Sequence, residues 1–258
     1  MKGMNNICSI NQKWVREPSP DPHGSMKEDK EQILRLILGI ENSEDRKSTL
    51  QLALKQARRL IGITSKEEAS YTLFQLRNSK DAKNQDAIVD IALEVYLDEE
   101  MDILTSLSLY LIVLDQLGHI FGSRSNKSNR VKEALEKSNI NTGLKDIELE
   151  EIADLRNSIN HNFGLACYNP SRNLGVRKYT ICIVEDGKQQ PIVDAIKEWE
   201  GDWCCKNDNT SVHVYPFSLI NLIERVIDSY IKQYNDEKLY TPLCVEELKT
   251  RFTIRINS

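Results

Sequence analysis

Apolar residues recur at helical spacing along most of the sequence, and strict alternation is confined to one stretch near the end. From residue 27 onward, apolar side chains at positions i, i+3, i+4 and i+7 predict a first helix, with Ile33, Leu36, Ile37 and Ile40 on its inner face. Ser43 or Ser48 is a candidate cap for a second helix, and two more helices are predicted over 65–77 and 81–97. The sequence therefore predicts a helical array over 27–98.

The most apolar helix is predicted over 101–121, and Gly122 ends it. Its apolar core, 103–117, is short for a bilayer span, which needs about 20 apolar residues, and it also contains Thr105, Ser106, Ser108, Asp115 and Gln116. We therefore interpret it as a core helix and predict no membrane contact. Further helices are predicted over 129–137, 146–166 and 217–234, with a short element over 245–252.

Period-two alternation marks a β element inside this helical frame. Tyr179, Ile181 and Ile183 alternate with polar residues over 177–184, and Asp186-Gly187 is a turn signal. With 212–215 as the partner strand, this pattern predicts one β-hairpin near 177–215. The expected fold is mainly α, with a small inserted hairpin and an N-terminal helical extension.

Four regions follow from these patterns. Residues 1–26 contain three prolines and two glycines and are predicted to be a flexible leader. Residues 27–98 form a helical region of unknown role, 99–240 form the main domain, and 241–258 form a C-terminal tail.

Composition narrows the function classes. Thirty-four Lys and Arg against 39 Asp and Glu give a net charge of −5, which argues against a histone-like protein with a broad basic surface. Six Cys and four His form no CxxC pair or other zinc spacing, so we predict no metal and no cofactor. Reduced thiols and the absence of a secretory signal predict a cytoplasmic protein.

One segment carries candidate chemistry. Residues 155–163 read Leu-Arg-Asn-Ser-Ile-Asn-His-Asn-Phe, so Arg156 and Asn157 precede His161 by five and four residues. Five residues correspond to about 140° around a helix, so Arg156 and His161 share a site only if the helix bends or a second subunit faces it. Asn157 is on the same face as His161 and is a candidate to orient the imidazole.

Two acid-free windows, 155–184 and 116–132, surround this segment with positive charge. They contain the candidate anion-binding side chains His119, Arg172, Arg177 and Lys178. Asp115, just before the second window, is interpreted as a buried polar contact.

The segment 151–161, Glu-Ile-Ala-Asp-Leu-Arg-Asn-Ser-Ile-Asn-His, resembles the R-x(4–6)-H signature of the HEPN superfamily. The resemblance covers about residues 99–235 and implies a homodimeric, metal-independent endoribonuclease of anti-phage, abortive-infection or toxin–antitoxin systems, with RNA as substrate. It also implies an antitoxin or activating partner protein.

The resemblance assigns catalysis to Arg156, Asn157 and His161, and it makes a role in orienting the site the second interpretation of Asp115. The predicted substrate-binding residues are Ser158, Asn160, His119, Arg172, Arg177 and Lys178. Phe163 stands where some relatives of this type carry a Tyr that is modified by an antitoxin, which makes that route of silencing doubtful here. A non-catalytic module that binds RNA, a nucleotide or a protein is the alternative, and Arg156 paired with Glu150, Glu151 or Asp154 is the purely structural one.

Overall fold

Helices form most of the described part of the chain, as the apolar periodicity predicts. The computed structural model describes residues 23–61, 100–124, 129–162, 165–169, 175–183, 190–197, 199–201 and 208–256. The predicted helices over 65–77 and 81–97, and nearly all of the predicted leader, lie outside these ranges. The helices described are α1 His23–Leu38, α2 Thr49–Leu60, α3 Glu100–Phe121, α4 Arg130–Lys137, α5 Asp146–Asn162, α6 Pro216–Asn235 and α7 Val245–Phe252.

Local capping sets several of these boundaries. Ser48, one of the two predicted caps of α2, accepts a hydrogen bond from the backbone N–H of Gln51, and Asn129 does the same for α4 by accepting from Lys132. Helix α1 begins at His23, four residues before the predicted start at 27. Helix α5 ends at Asn162 rather than 166, because the chain from Ala166 onward joins a sheet.

Helix α3 is the centre of the core. Leu107, Tyr110, Leu111 and Leu114 are fully buried, and α2, α4, α5 and α6 all contact the helix. Its length and composition alone would suit a membrane span, yet 56% of that window is buried inside the protein. Gly118 allows α4 to approach, since a Cβ there would lie 1.8 Å from the carbonyl oxygen of Arg130.

The β element is a four-stranded sheet, and the predicted hairpin is wrong. Strands β2 Ala166–Asn169, β3 Gly175–Ile181, β4 Ile192–Val193 and β5 Val212–Val214 lie in the order β2-β3-β5-β4. Strand β3 pairs antiparallel with β2 but parallel with β5. Parallel partners need a crossover rather than a turn, so the connection between β3 and β5 cannot be a hairpin loop. Alternation located strand β3 but contained no information about its neighbours.

A small two-stranded ribbon joins the N-terminal helical region to the last described residues. Strand β1 Arg46–Ser48 pairs antiparallel with β6 Thr253–Arg255, and the Thr49 hydroxyl donates to the carbonyl oxygen of Phe252. Helices α1 and α7 also contact each other. The segment 245–255 of the predicted tail is therefore packed onto the N-terminal helical region, and β1 and β6 were not predicted.

A buried polar network ties α2 and α6 to α3. Arg58 donates from Nε and Nη2 to the two carboxylate oxygens of Glu224 at 2.7 and 2.6 Å, and the Tyr110 hydroxyl donates to Glu224 at 2.6 Å. Burial and the Glu224 charge raise the pKa of Tyr110. Burial alone would lower the pKa of Arg58, but the bonded Glu224 outweighs it and raises the value. The three groups therefore fix the helix that carries one side of the candidate site.

Candidate functional site

Helix α5 carries the Arg–Asn–His segment at its C-terminal end. Arg156 and His161 both lie within the uninterrupted helix Asp146–Asn162. The two positions are therefore about 140° apart around one axis. The side chain of His161 is outside the described part of the structure, so its predicted pairing with Asn157 stays a prediction.

Arg156 is held by a residue from another helix. Its Nη2 donates to Oδ2 of Asp115 on α3 at 2.9 Å, and its Nη1 donates to Oδ1 of the neighbouring Asn157 at 3.0 Å. The side chains of Arg156 and Asp115 are 21% and 28% exposed. Asp115 thus orients the guanidinium, as one of the two sequence interpretations of this residue proposes, and leaves part of it accessible.

A second polar contact lies further along the same helix pair. The Ser108 hydroxyl of α3 donates to Oδ1 of Asn160, whereas Nδ2 of Asn160 is buried without a hydrogen-bond partner. The pairs 108–160 and 115–156 show that α3 and α5 run antiparallel. We call this line of contacts the α3/α5 seam, comprising Ser108, Ile112, Asp115, Arg156, Asn157 and Asn160.

The sequence also contains a signal for the α3 side of the seam. Ser108 and Asp115 are seven residues apart, which is two helical turns, so the two polar residues share one face of an otherwise apolar helix. Ile112 lies between them and is half-buried. The sequence resemblance points to Asp115 as a site residue, whereas it gives no such role to Ser108.

Ser158 has a structural contact. Its side chain is buried, and its hydroxyl donates to the carbonyl oxygen of Ala166 at 2.8 Å. The bond joins α5 to the first residue of β2. This contact accounts for a serine at 158 without a substrate, and we assign it no further role.

Arg177 contacts α5 at Glu151, which lies N-terminal to Arg156 on the helix. Its Nε donates to Oε1 of the fully buried Glu151 at 2.8 Å, and the Tyr179 hydroxyl donates to Oε2 at 3.1 Å. Burial raises the pKa of Glu151 to about 7, although Arg177 acts in the opposite direction. The guanidinium therefore neutralises a buried acid and joins α5 to the sheet, and the seam does not include it.

Lys178 is also separate from the seam. The Lys178 ammonium lies 5.8 Å from the ring centroid of the buried Trp199, within the range of a cation–π contact. Arg172 lies outside the described residues. The predicted substrate-binding roles of both stay predictions from the sequence.

His119 lies one turn beyond Asp115 on α3 and packs against α7. Its ring centroid is 6.0 Å from that of Phe252, in an edge-on arrangement. Burial, with the charges of Arg251 and Arg130, lowers the pKa of His119. The imidazole is therefore mostly neutral at pH 7, and its Nε2 is buried without a hydrogen-bond partner.

In the part of the acid-free window 116–132 that the structure describes, the Lys and Arg side chains do not form an unneutralised basic surface. Acids outside the window pair with them, and the ion pairs are Arg130–Glu133 at 3.1 Å, Lys132–Asp146 at 3.5 Å, Lys132–Glu136 at 3.8 Å and Arg124–Glu247 at 4.0 Å. The inference that the window concentrates positive charge is corrected, because charge along the sequence does not report which acids fold against it. Arg156 remains the cation that the seam presents.

Comparison with known proteins gives no family assignment. No protein-family model matches the sequence, and no curated protein or solved structure is significantly similar to it. The function of the seam must therefore be argued from its own residues and geometry.

Proposed function

We propose that the chain is a metal-independent endoribonuclease whose reaction centre contains Arg156, Asn157 and His161. The observation that carries the proposal is the Arg156 guanidinium, which Asp115 and Asn157 orient at a partly exposed seam on the helix that also contains His161. An arginine fixed in this way is suited to bind a phosphodiester and to stabilise the charge that develops on it.

The remaining chemistry needs one group that exchanges protons near neutral pH. An imidazole exchanges protons near neutral pH. His161 either removes the proton of the ribose 2′-hydroxyl, with water protonating the leaving 5′-oxygen, or protonates that oxygen, with water accepting the 2′-hydroxyl proton. The 2′-oxygen then forms a bond to phosphorus as the bond to the 5′-oxygen breaks. The products are a 2′,3′-cyclic phosphate and a 5′-hydroxyl, and DNA is excluded because it has no 2′-hydroxyl.

The proposed site is shared between two copies of the chain. Because about 140° separates Arg156 from His161 on an uninterrupted helix, one copy does not easily direct both side chains to the same phosphate. A twofold axis beside the seam brings both residues from two copies into one cleft. We further propose a role in anti-phage defence, abortive infection or toxin–antitoxin growth control, in which an antitoxin or activator protein sets the activity.

A non-catalytic module that binds RNA, a nucleotide or a protein is the second candidate. The observation in its favour is that Asp115 already balances the charge of Arg156, as in a purely structural ion pair. The two candidates differ in what they predict for His161, since binding alone needs no proton transfer.

Labelled RNA, incubated with the purified protein in EDTA, tests the proposal. We expect cleavage to 2′,3′-cyclic phosphate ends, at least 100-fold loss in His161→Ala and Arg156→Ala, and partial retention in Arg156→Lys. Arg251→Ala is the matched control, because Arg251 is an exposed arginine in an ion pair with Glu247. Equal cleavage by wild type and His161→Ala would refute the catalytic role, and RNA binding without cleavage would favour the second candidate.

A further inference from the structure

The amide of Asn160 lies on the seam one helical turn from Arg156, which corresponds to about 6 Å along the axis. Its Oδ1 accepts from the Ser108 hydroxyl, whereas its Nδ2 is buried without a partner. A buried donor that makes no hydrogen bond is unfavourable, so a group that accepts from it stabilises any complex in which it is bound.

The contact from Ser108 determines what Asn160 can recognise. Because the hydroxyl donates to Oδ1, Nδ2 is the part of the amide left without a partner. Nδ2 is buried, so an acceptor that reaches it displaces the side chains around it. An NH₂ group recognises a hydrogen-bond acceptor and rejects a donor. Ile112, half-buried between the 108–160 and 115–156 contacts, adds an apolar surface of the kind on which a base or ribose packs.

Resting on the proposed ribonuclease function, we infer that Asn160 is a specificity residue that donates a hydrogen bond from Nδ2 to an acceptor on a base flanking the phosphate held by Arg156. The substrate class is single-stranded RNA, since base edges are accessible only where the strand is unpaired. Polar contacts predominate over apolar ones along the seam, which favours a nucleotide over the apolar core of a second protein.

A cycle that combines protein and substrate changes tests this inference. Asn160→Leu removes the donor while it keeps the shape of the side chain and adds no charge. The substrates are short single-stranded RNAs that carry an abasic ribose at the nucleotide on either side of the cut, compared with the intact RNA. For wild type we expect kcat/KM to fall about 5–10-fold for one abasic RNA, and for Asn160→Leu we expect no further fall with that RNA.

Ser108→Ala is the second variant, since it frees the amide to rotate. We expect it to weaken discrimination between acceptor-bearing bases, seen as a smaller ratio of kcat/KM for intact RNA to kcat/KM for abasic RNA than in wild type. Asn160→Asp should lower kcat/KM more than Asn160→Leu. Thr105→Asp is the control for added charge, because Thr105 is exposed on α3 three residues before Ser108, and its effect on kcat/KM measures how much of that fall is charge alone.

The same cycle measured as equilibrium RNA binding separates this inference from the proposed function. Binding that shows the coupling without any cleavage refutes the ribonuclease and keeps the role of Asn160. Cleavage or binding in which both abasic RNAs behave alike in wild type and Asn160→Leu overturns the inference. A dimer dissociation constant that changes while RNA affinity does not assigns the amide to a contact between copies and also overturns it.

Discussion

Removing one member of the Arg58–Glu224 pair should destabilise the protein far more than removing both. The pair is bidentate, its side chains are only 16% and 10% exposed, and Tyr110 satisfies a further lone pair of the carboxylate. Breaking a buried ion pair from one side costs about 3–5 kcal/mol, because the remaining charge stays in a low-dielectric environment. Slight exposure of both side chains places our expectation for Arg58→Met near the lower end, at about 3 kcal/mol.

The double variant Arg58→Met with Glu224→Leu tests the reason for this loss. Replacing a buried pair by apolar side chains of similar volume is often neutral, so the double variant should lie within about 1 kcal/mol of wild type. Unfolding in urea followed by circular dichroism gives each free energy of unfolding from the midpoint and slope.

The exposed pair Arg251–Glu247 is the matched control, with contacts of 2.7 Å but side chains 46% and 31% exposed. Arg251→Met should cost less than about 0.5 kcal/mol, because solvent screens the pair. A double variant that loses as much as the sum of Arg58→Met and Glu224→Leu would refute the reasoning, since the loss would then come from packing. Equal losses in Arg58→Met and Arg251→Met would also contradict it.

Three further predictions concern the helices that carry the site. Asp115→Asn should lower RNA cleavage by about 10–100-fold while lowering the free energy of unfolding in urea by about 1 kcal/mol, because the Arg156 side chain loses its orientation while the protein stays folded. Unchanged cleavage would contradict the orienting role. The pKa of Glu151 is higher in the folded state, at about 7, than its ordinary value, so this group should make the free energy of unfolding fall as pH rises from about 4.5 to above 7. Glu151→Gln should flatten that part of the pH profile, measured by urea unfolding at each pH. Gly118→Ala should destabilise by about 3 kcal/mol or more, because its Cβ would meet the Arg130 carbonyl at 1.8 Å, and a thermal midpoint equal to wild type would mean that α4 moves away freely.

Local rules predicted the helices that the structure describes and failed for the sheet. The Ser48 and Asn129 caps, the apolar face of α3 and the position of α6 all depend on residues within a few turns of each other, so sequence spacing is sufficient to predict them. The parallel pairing of β3 with β5 depends on a contact between distant segments. Residues 177–184 alternate equally well next to either neighbour, so the pattern could not distinguish a hairpin from a crossover.

The candidate site divides in the same way. The order Arg156-Asn157-x-x-x-His161 and the absence of acids from 155–184 are properties of the sequence alone. The partners are properties of the fold: Asp115 reaches Arg156 across 41 residues, and Glu151 neutralises Arg177 across 26. Electrostatic contacts act through space, so a window free of acids along the chain still meets the acids that packing brings to it.

The sequence by itself therefore determined that the chain is mainly helical, where its central helix lies and which residues form the candidate Arg156-Asn157-x-x-x-His161 motif. The tertiary structure alone decided the neighbours of each strand, and it selected Arg156 as the cation presented at the α3/α5 seam while other basic side chains serve to neutralise acids. The physical reason is that helical hydrogen bonds close within four residues, whereas strand pairing and ion pairing are settled by whichever distant segments the core brings together.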